Sequence, residues 1–286
     1  MEWFEKLGYN RNPFELNPLE TDFSLIGYDK EAKEILYRIM SGSMLLIEGR
    51  TGTGKTALLK YAIDNFKGEG KVIYVNAGKL NKKININDLL KKKPKGMMLL
   101  MDNVQYLSKK NNERIKYHYD QDYIKSVVFT TTDYSLISFT NAIKDRIGKN
   151  IIKLKGLSQS NALEIAKERI NDNEILPDNV LKQLYKDSGS IKEFLGSCEL
   201  LCSYVIEKGD DKAEKNDIKK MPKKEAEEDK EDGIEICPEC DENLIKVGEY
   251  WRCRNCDQYC ESCGALVDDE DSICPECGSG IREKEK

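Results

Sequence analysis

The chain has 286 residues, 34% of them charged, and a formal net charge of −5. That length suits two domains, or one large domain with attachments. The acidic balance excludes a uniformly basic nucleic-acid coat. No apolar stretch approaches the length of a bilayer span and the N-terminus has no secretory pattern, so the expectation is a cytoplasmic protein with no membrane partner.

In chain order, the first strongly apolar run is Ser43-Met44-Leu45-Leu46-Ile47-Glu48, which predicts a buried strand. It leads into Gly49-Arg50-Thr51-Gly52-Thr53-Gly54-Lys55-Thr56, a full match to G-x-x-x-x-G-K-[ST], and a helical stretch starts at Ala57. Such a loop cradles the phosphates of a nucleoside triphosphate. Gly49, Gly52 and Gly54 let the backbone curl so that its N–H groups face the β- and γ-phosphates. Lys55 brings a point charge to the same oxygens, and the Thr56 hydroxyl is placed as a Mg²⁺ ligand. The helix N-terminus adds a dipole that favours an anion.

From Lys79 to Lys95 the chain holds seven lysines and one aspartate. This segment is either a solvated face or a contact to the phosphate backbone of DNA. Met97-Met98-Leu99-Leu100-Met101-Asp102 follows, five apolar residues that suit a strand buried on both faces of a parallel sheet. Asp102 would emerge at its carboxyl end, where ligands bind, as the second Mg²⁺ residue. The next residue is Asn103, whose amide can position a water but cannot take its proton at neutral pH. Slow hydrolysis is expected, with the base unidentified. A third strand, Ser126 to Thr132, ends in hydroxyls that would lie near the γ-phosphate if it pairs with the loop strand.

Phosphate loop, acidic strand ending Asp-Asn-Val-Gln-Tyr-Leu, polar-ended strand, Lys144-Asp145-Arg146-Ile147 and a later Asp187-Ser188-Gly189-Ser190-Ile191-Lys192 occur in an order that resembles the AAA+ ATPases. Within them the chain is similar to the initiator-like, archaeal origin-recognition and ExeA-like group. Leu7-Gly8-Tyr9, Asn12-Pro13-Phe14 and Gly27-Tyr28-Asp29 resemble the segment that precedes the loop there and packs on adenine. The resemblance implies ATP with Mg²⁺ as the ligand, held by residues 49–57, and a homo-oligomer in the ATP state. It also implies that Thr131 or Thr132 is the first sensor of the γ-phosphate, Arg146 the finger reaching a neighbour's nucleotide, and Lys192 the second sensor. Lysine at 192 departs from the usual arginine and loses the bidentate fork.

The expected fold class is α/β: a parallel-sheet P-loop AAA+ domain over 1–155, with a helical lid over 156–207. The lid's helices include one over 161–170, capped by Ser158 or Ser160, and one over 191–206. Cys198 and Cys202 on the latter are expected to be buried, inert thiols. Residues 208–233 are so rich in Lys, Glu and Asp that a flexible linker is expected.

Residues 234–286 hold 14 acidic and 6 basic side chains, against 37 and 40 in the preceding part, and eight of the ten cysteines. These form four C-x-x-C pairs: Cys237/Cys240, Cys253/Cys256, Cys260/Cys263 and Cys274/Cys277. Each pair fills half of a thiolate tetrahedron, so two structural Zn²⁺ ions are expected, paired in sequence order or interleaved. The tail resembles a double zinc ribbon. Its acidity points to a protein partner for the ribbons. Two functions remain open at this stage: a nucleotide-controlled switch in DNA-associated assembly such as replication or recombination, and a protein-assembly adaptor that uses no nucleic acid.

Overall fold

A computed structural model describes residues 2–21, 23–68, 70–79, 86, 90, 95–107, 109–137, 139–222, 244–247, 250–253, 259–265, 267 and 272–280. Five parallel strands, β1 (Met44–Glu48), β2 (Val72–Asn76), β3 (Met97–Asp102), β4 (Ile124–Thr131) and β5 (Ile151–Lys153), lie in the order β2-β3-β4-β1-β5. The near-continuous apolar runs of β1 and β3 put them in the middle, because each must be covered on both faces, and β4, with Val127, Val128 and Phe129 buried, lies between them. The pleat sorts their side chains. Met44, Leu46, Leu99, Met101, Val127 and Phe129 enter one core with Ile115, Ile143 and Ile147 of α4 (Lys109–Asp120) and α5 (Asn141–Ile147). Leu45, Ile47, Met98, Leu100 and Val128 enter the other with Ile35, Ile39, Leu58 and Leu59 of α2 (Asp29–Met40) and α3 (Lys55–Asn65). β4 lies between β3 and β1, so the carboxyl ends of these three strands share one edge.

Three further helices, α6 (Gln159–Arg169), α7 (Asp178–Asp187) and α8 (Ile191–Lys208), bury a separate core that includes Ala166, Leu184, Phe194 and Leu201. Between the two expected caps, Ser158 is the one that starts α6, accepting the Asn161 N–H at 3.3 Å. Ser190 caps α8 in the same way, and Gly209, at φ +86, ends it. Cys198 and Cys202 are buried in this core, and burial pushes both thiols up, which matches inert packing. The N-terminal turn α1 (Trp3–Lys6) joins it: Trp3 stacks on Phe14 at 6.4 Å between ring centroids.

The flexible linker expected over 208–233 needs correction in its first half. The Ala213 N–H donates to the Ile175 carbonyl at 2.8 Å, and Ala213, Ile218 and Met221 pack on the helical core. Asp217 is buried and accepts the Glu214 N–H at 2.8 Å and the Lys208 ammonium at 3.3 Å. A few spaced apolar residues anchor a segment that is charged on average. Residues 223–233 lie outside those described. In the tail, β6 (Leu244–Val247) and β7 (Tyr250–Cys253) form an antiparallel hairpin. Among the described residues no helix is long and apolar enough to cross a membrane.

Candidate nucleotide site and metal centre

β1 ends at Glu48 and the chain turns through residues 49–54 into α3. Gly52 at φ +74 and Gly54 at φ +95 take left-handed conformations that side chains resist. Lys55 is buried beneath this turn, its ammonium donating to the Gly49 carbonyl at 2.7 Å and the Arg50 carbonyl at 3.0 Å. Tyr28 braces the loop from outside, its hydroxyl 2.6 Å from the Thr53 carbonyl and 2.9 Å from that of Lys155. Burial pushes this phenol up to about 12, so it stays a donor.

Asp102 is 1% exposed. A carboxylate removed from water needs hydrogen bonds to offset its lost hydration. Oδ2 accepts from the Thr56 hydroxyl at 2.8 Å and the Tyr74 hydroxyl at 2.9 Å, and Oδ1 accepts from the Thr130 hydroxyl. Burial and the adjacent carboxylate push the Tyr74 phenol up, which keeps its proton on. Thr56 and Asp102 thus place a hydroxyl and a carboxylate side by side at the cavity wall. Such an all-oxygen donor pair fits Mg²⁺, which keeps waters and takes one or two protein ligands beside phosphate. In such a site the ion would neutralise phosphate charge.

Asn103 adopts φ 58, ψ 49, a left-handed conformation that asparagine tolerates far better than most residues. Its N–H donates to the Thr130 hydroxyl at 3.1 Å, and its amide nitrogen lies 3.5 Å from Asn76 Oδ1 at the end of β2. Of the two candidate sensors, Thr132 lines the cavity. The Thr131 hydroxyl is fully buried, donating to the Asp133 carbonyl at 2.9 Å with Gln105 Oε1 at 3.3 Å.

Lys192 also lines the cavity, at the start of α8. The lid sits directly on the loop there: a Cβ added at Gly52 would lie 2.7 Å from Ser190 Oγ and 2.9 Å from Lys192 Cβ. An N-terminal strap, residues 9–19, closes the far side and is tied to the lid helices. Tyr9 donates to the Ile170 carbonyl at 2.6 Å, Asn12 to Glu199 at 2.8 Å, and Arg169 to the Glu15 carbonyl at 2.8 Å. Loop, sheet edge, strap and lid enclose a cavity of about 820 Å³, a size that suits a nucleotide. Arg146 is elsewhere, on α5. It donates to Asp120 Oδ1 through Nε at 3.1 Å and through its terminal nitrogen at 2.6 Å, and to the Ala142 carbonyl at 2.8 Å.

Sequence reasoning did not assign Tyr74, Thr130 or Asn76 to the site. A signal existed for two of them. Pairing β2 with β3 in parallel sets Asn76 opposite Asp102, and the period of two then puts Tyr74 on the same face. Of the lysine-rich segment expected to meet DNA, residues 80–85, 87–89 and 91–94 lie outside those described.

In the tail, the Sγ atoms of Cys260, Cys263, Cys274 and Cys277 lie within 4.8 Å of one another. Cys260 and Cys277 are 3.6 Å apart, and Cys263 and Cys274 3.7 Å. Zn–S bonds of about 2.3 Å make a tetrahedron with edges of about 3.8 Å, so this set fits Zn²⁺. The two arms are repeats of C-x-x-C-G. Gly264 at φ +83 and Gly278 at φ +72 turn each back, donating to the Cys260 and Cys274 carbonyls at 2.8 and 2.9 Å. The Ser279 hydroxyl and N–H hold the Cys277 thiol down to about 6, and the Cys263 and Ser262 N–H groups lower Cys260. Cys263 moves the other way: the Ala265 N–H lowers it, but Cys277, burial and the other sulfurs push it up to about 12, so the fit to Zn²⁺ rests on the sulfur spacing. Cys237, Cys240, Cys256 and the side chain of Cys253 lie outside the described residues, so one of the two expected centres is described.

A five-stranded parallel sheet in this order, with a phosphate loop after β1 and an aspartate ending β3, defines the P-loop AAA+ fold. Residues 41–163 match the family model of the AAA domain. No curated protein sequence matches the chain. Among solved structures, it is similar to the Aeropyrum pernix ORC1 protein in complex with DNA (TM-score 0.58, 15% identity, 72% of this chain and 68% of that one). It is also similar to the ADPNP–ADP complexes of Aeropyrum pernix ORC2 (0.58, 15%, 73% and 70%). A third likeness is to the Thermotoga maritima RuvB Holliday junction branch migration motor (0.55, 20%, 68% and 68%). At these identities the likeness shows the fold.

Proposed function

We propose that this chain is an ATP-binding, slowly hydrolysing AAA+ ATPase that acts as a nucleotide-controlled switch in DNA-associated assembly. The observation that carries it is the Thr56–Asp102 contact at 2.8 Å beside Lys55, facing a cavity capped by the lid residue Lys192. In this reading Lys55 leaves the Gly49 and Arg50 carbonyls for the phosphates, and Thr56 and Asp102 hold Mg²⁺. Thr132 and Lys192 sense the γ-phosphate, so ATP draws the lid onto the loop. Arg146 reaches a neighbouring copy's nucleotide once it lets go of Asp120.

Slow turnover follows from Asn103. Asn103→Glu is expected to raise kcat by about 10²-fold, the lower end of what a general base supplies. The left-handed backbone should take back about 1 kcal/mol of stability. Single-turnover hydrolysis and a thermal melt check both; rapid turnover by the native chain would show that another residue already serves as base.

DNA association draws on the likeness to a DNA-bound ORC1 and a branch migration motor, and on the lysines between Lys79 and Lys95. It is tested by DNA binding at varied salt, with and without ATP. Each phosphate contact adds about 0.9 to the logarithmic salt slope, so replacing Lys91, Lys92 and Lys93 by Gln should flatten it by about 2.7. A second reading is favoured by the acidic tail and its four-cysteine centre. There the ATPase organises proteins that the zinc ribbons recruit. It replaces the first if DNA binding is absent at low salt in both nucleotide states.

A further inference from the structure

One of the three hydroxyls on Asp102 comes from outside the phosphate loop and outside the strand that carries the sensor residues. Tyr74 stands in β2, two residues before the strand ends, with Leu100 as its register partner. Its ring packs in the core beside α3, and its hydroxyl reaches the edge of the cavity, 2.9 Å from Asp102 Oδ2. That is the same oxygen to which Thr56 donates at 2.8 Å.

The carboxylate torsion of an aspartate is soft and broadly two-fold, so one contact per group does not fix its plane. Here Thr130 holds Oδ1 and Tyr74 holds Oδ2 from the opposite neighbouring strand. The pair clamps the carboxylate across β3, leaving Thr56 to be met by an oxygen that is already aimed.

Building on the nucleotide site proposed above, we propose that Tyr74 is a positioning residue for the divalent cation that accompanies the nucleotide. Its phenol orients Asp102 toward the Thr56 hydroxyl and so sets the affinity of the site for Mg²⁺. Partners that orient a metal ligand typically change metal affinity by about 10–100-fold when removed. A phenylalanine would fill the same core volume, so packing alone does not call for the hydroxyl.

The test is Tyr74→Phe in the full chain, read by the binding of a fluorescent ATP analogue as Mg²⁺ is titrated. With EDTA, the variant and the native protein should bind the nucleotide equally. With Mg²⁺, the concentration giving half of the metal-dependent gain should rise about 10-fold in the variant. Superimposable Mg²⁺ titrations would overturn the inference. So would an equal loss of affinity in EDTA and in Mg²⁺, which would make Tyr74 a wall of the cavity. If the native protein binds no nucleotide under either condition, the site reading fails and takes the inference with it. A native protein that binds nucleotide with a normal Mg²⁺ response, beside an unaltered variant, leaves that reading standing and removes only Tyr74's role.

Discussion

Lys55→Ala is expected to lower ATP affinity by about 100-fold or more while leaving the fold intact. The ammonium is the one cation buried within the loop, donating to the Gly49 and Arg50 carbonyls. A hydrogen bond to a charged group contributes about 1.5–3 kcal/mol, and each 1.4 kcal/mol is tenfold in affinity. Losing the contacts proposed between this lysine and the phosphates should therefore exceed the effect of losing any single neutral contact in the cavity. The fold should persist, because residue 55 is the first of α3, where alanine is a good helix former, but the nucleotide-free protein should lose about 1–3 kcal/mol as the Gly49 and Arg50 carbonyls lose their charged donor. Titration with labelled ATP, alongside a thermal melt, checks both halves. Unchanged affinity in a folded variant would show that residues 49–56 are not the nucleotide site.

The sequence made the sheet legible because its strands obey one rule. β1 and β3 are nearly uninterrupted apolar runs, the composition of strands covered on both faces, and β4 carries Val127, Val128 and Phe129 at its centre. The phosphate loop was legible because its glycines and lysine stand at fixed spacings. What stayed hidden depends on neighbours that are distant in sequence. Tyr74 reads as an ordinary strand aromatic until β2 is placed beside β3. Thr130 reads as β-propensity until its hydroxyl is seen joining Asp102 to the Asn103 N–H. Arg146 reads as a finger from its place in the order, yet in a single copy it is tied to Asp120 at 2.6 Å. Residues 209–222 failed for the opposite reason. Averaged composition made them a linker, while Ala213, Ile218 and Met221 sit where the helical core can receive them.

The largest effect on stability is expected in the tail, from the metal. Its described apolar core amounts to Ala265 and Val267 packed among cysteines. Burying a valine fully contributes about 1.5–3 kcal/mol, whereas a structural zinc in a small module contributes about 10–16 kcal/mol. Chelation should therefore unfold the cysteine-bearing tail while ATP binding persists, because the loop, lid and strap contain none of the eight tail cysteines. Metal analysis of the native chain should give two zinc ions. Replacing Cys260 and Cys274 together by Ala should leave one, because both belong to the same cluster of four sulfurs. If the pairs were interleaved so that these residues served different ions, the double variant would lose both. One ion remaining with nucleotide affinity unchanged would establish sequence-order pairing and a metal-dependent module that is energetically separate from the ATP site. Loss of ATP binding on chelation would instead make the ribbon part of the nucleotide switch.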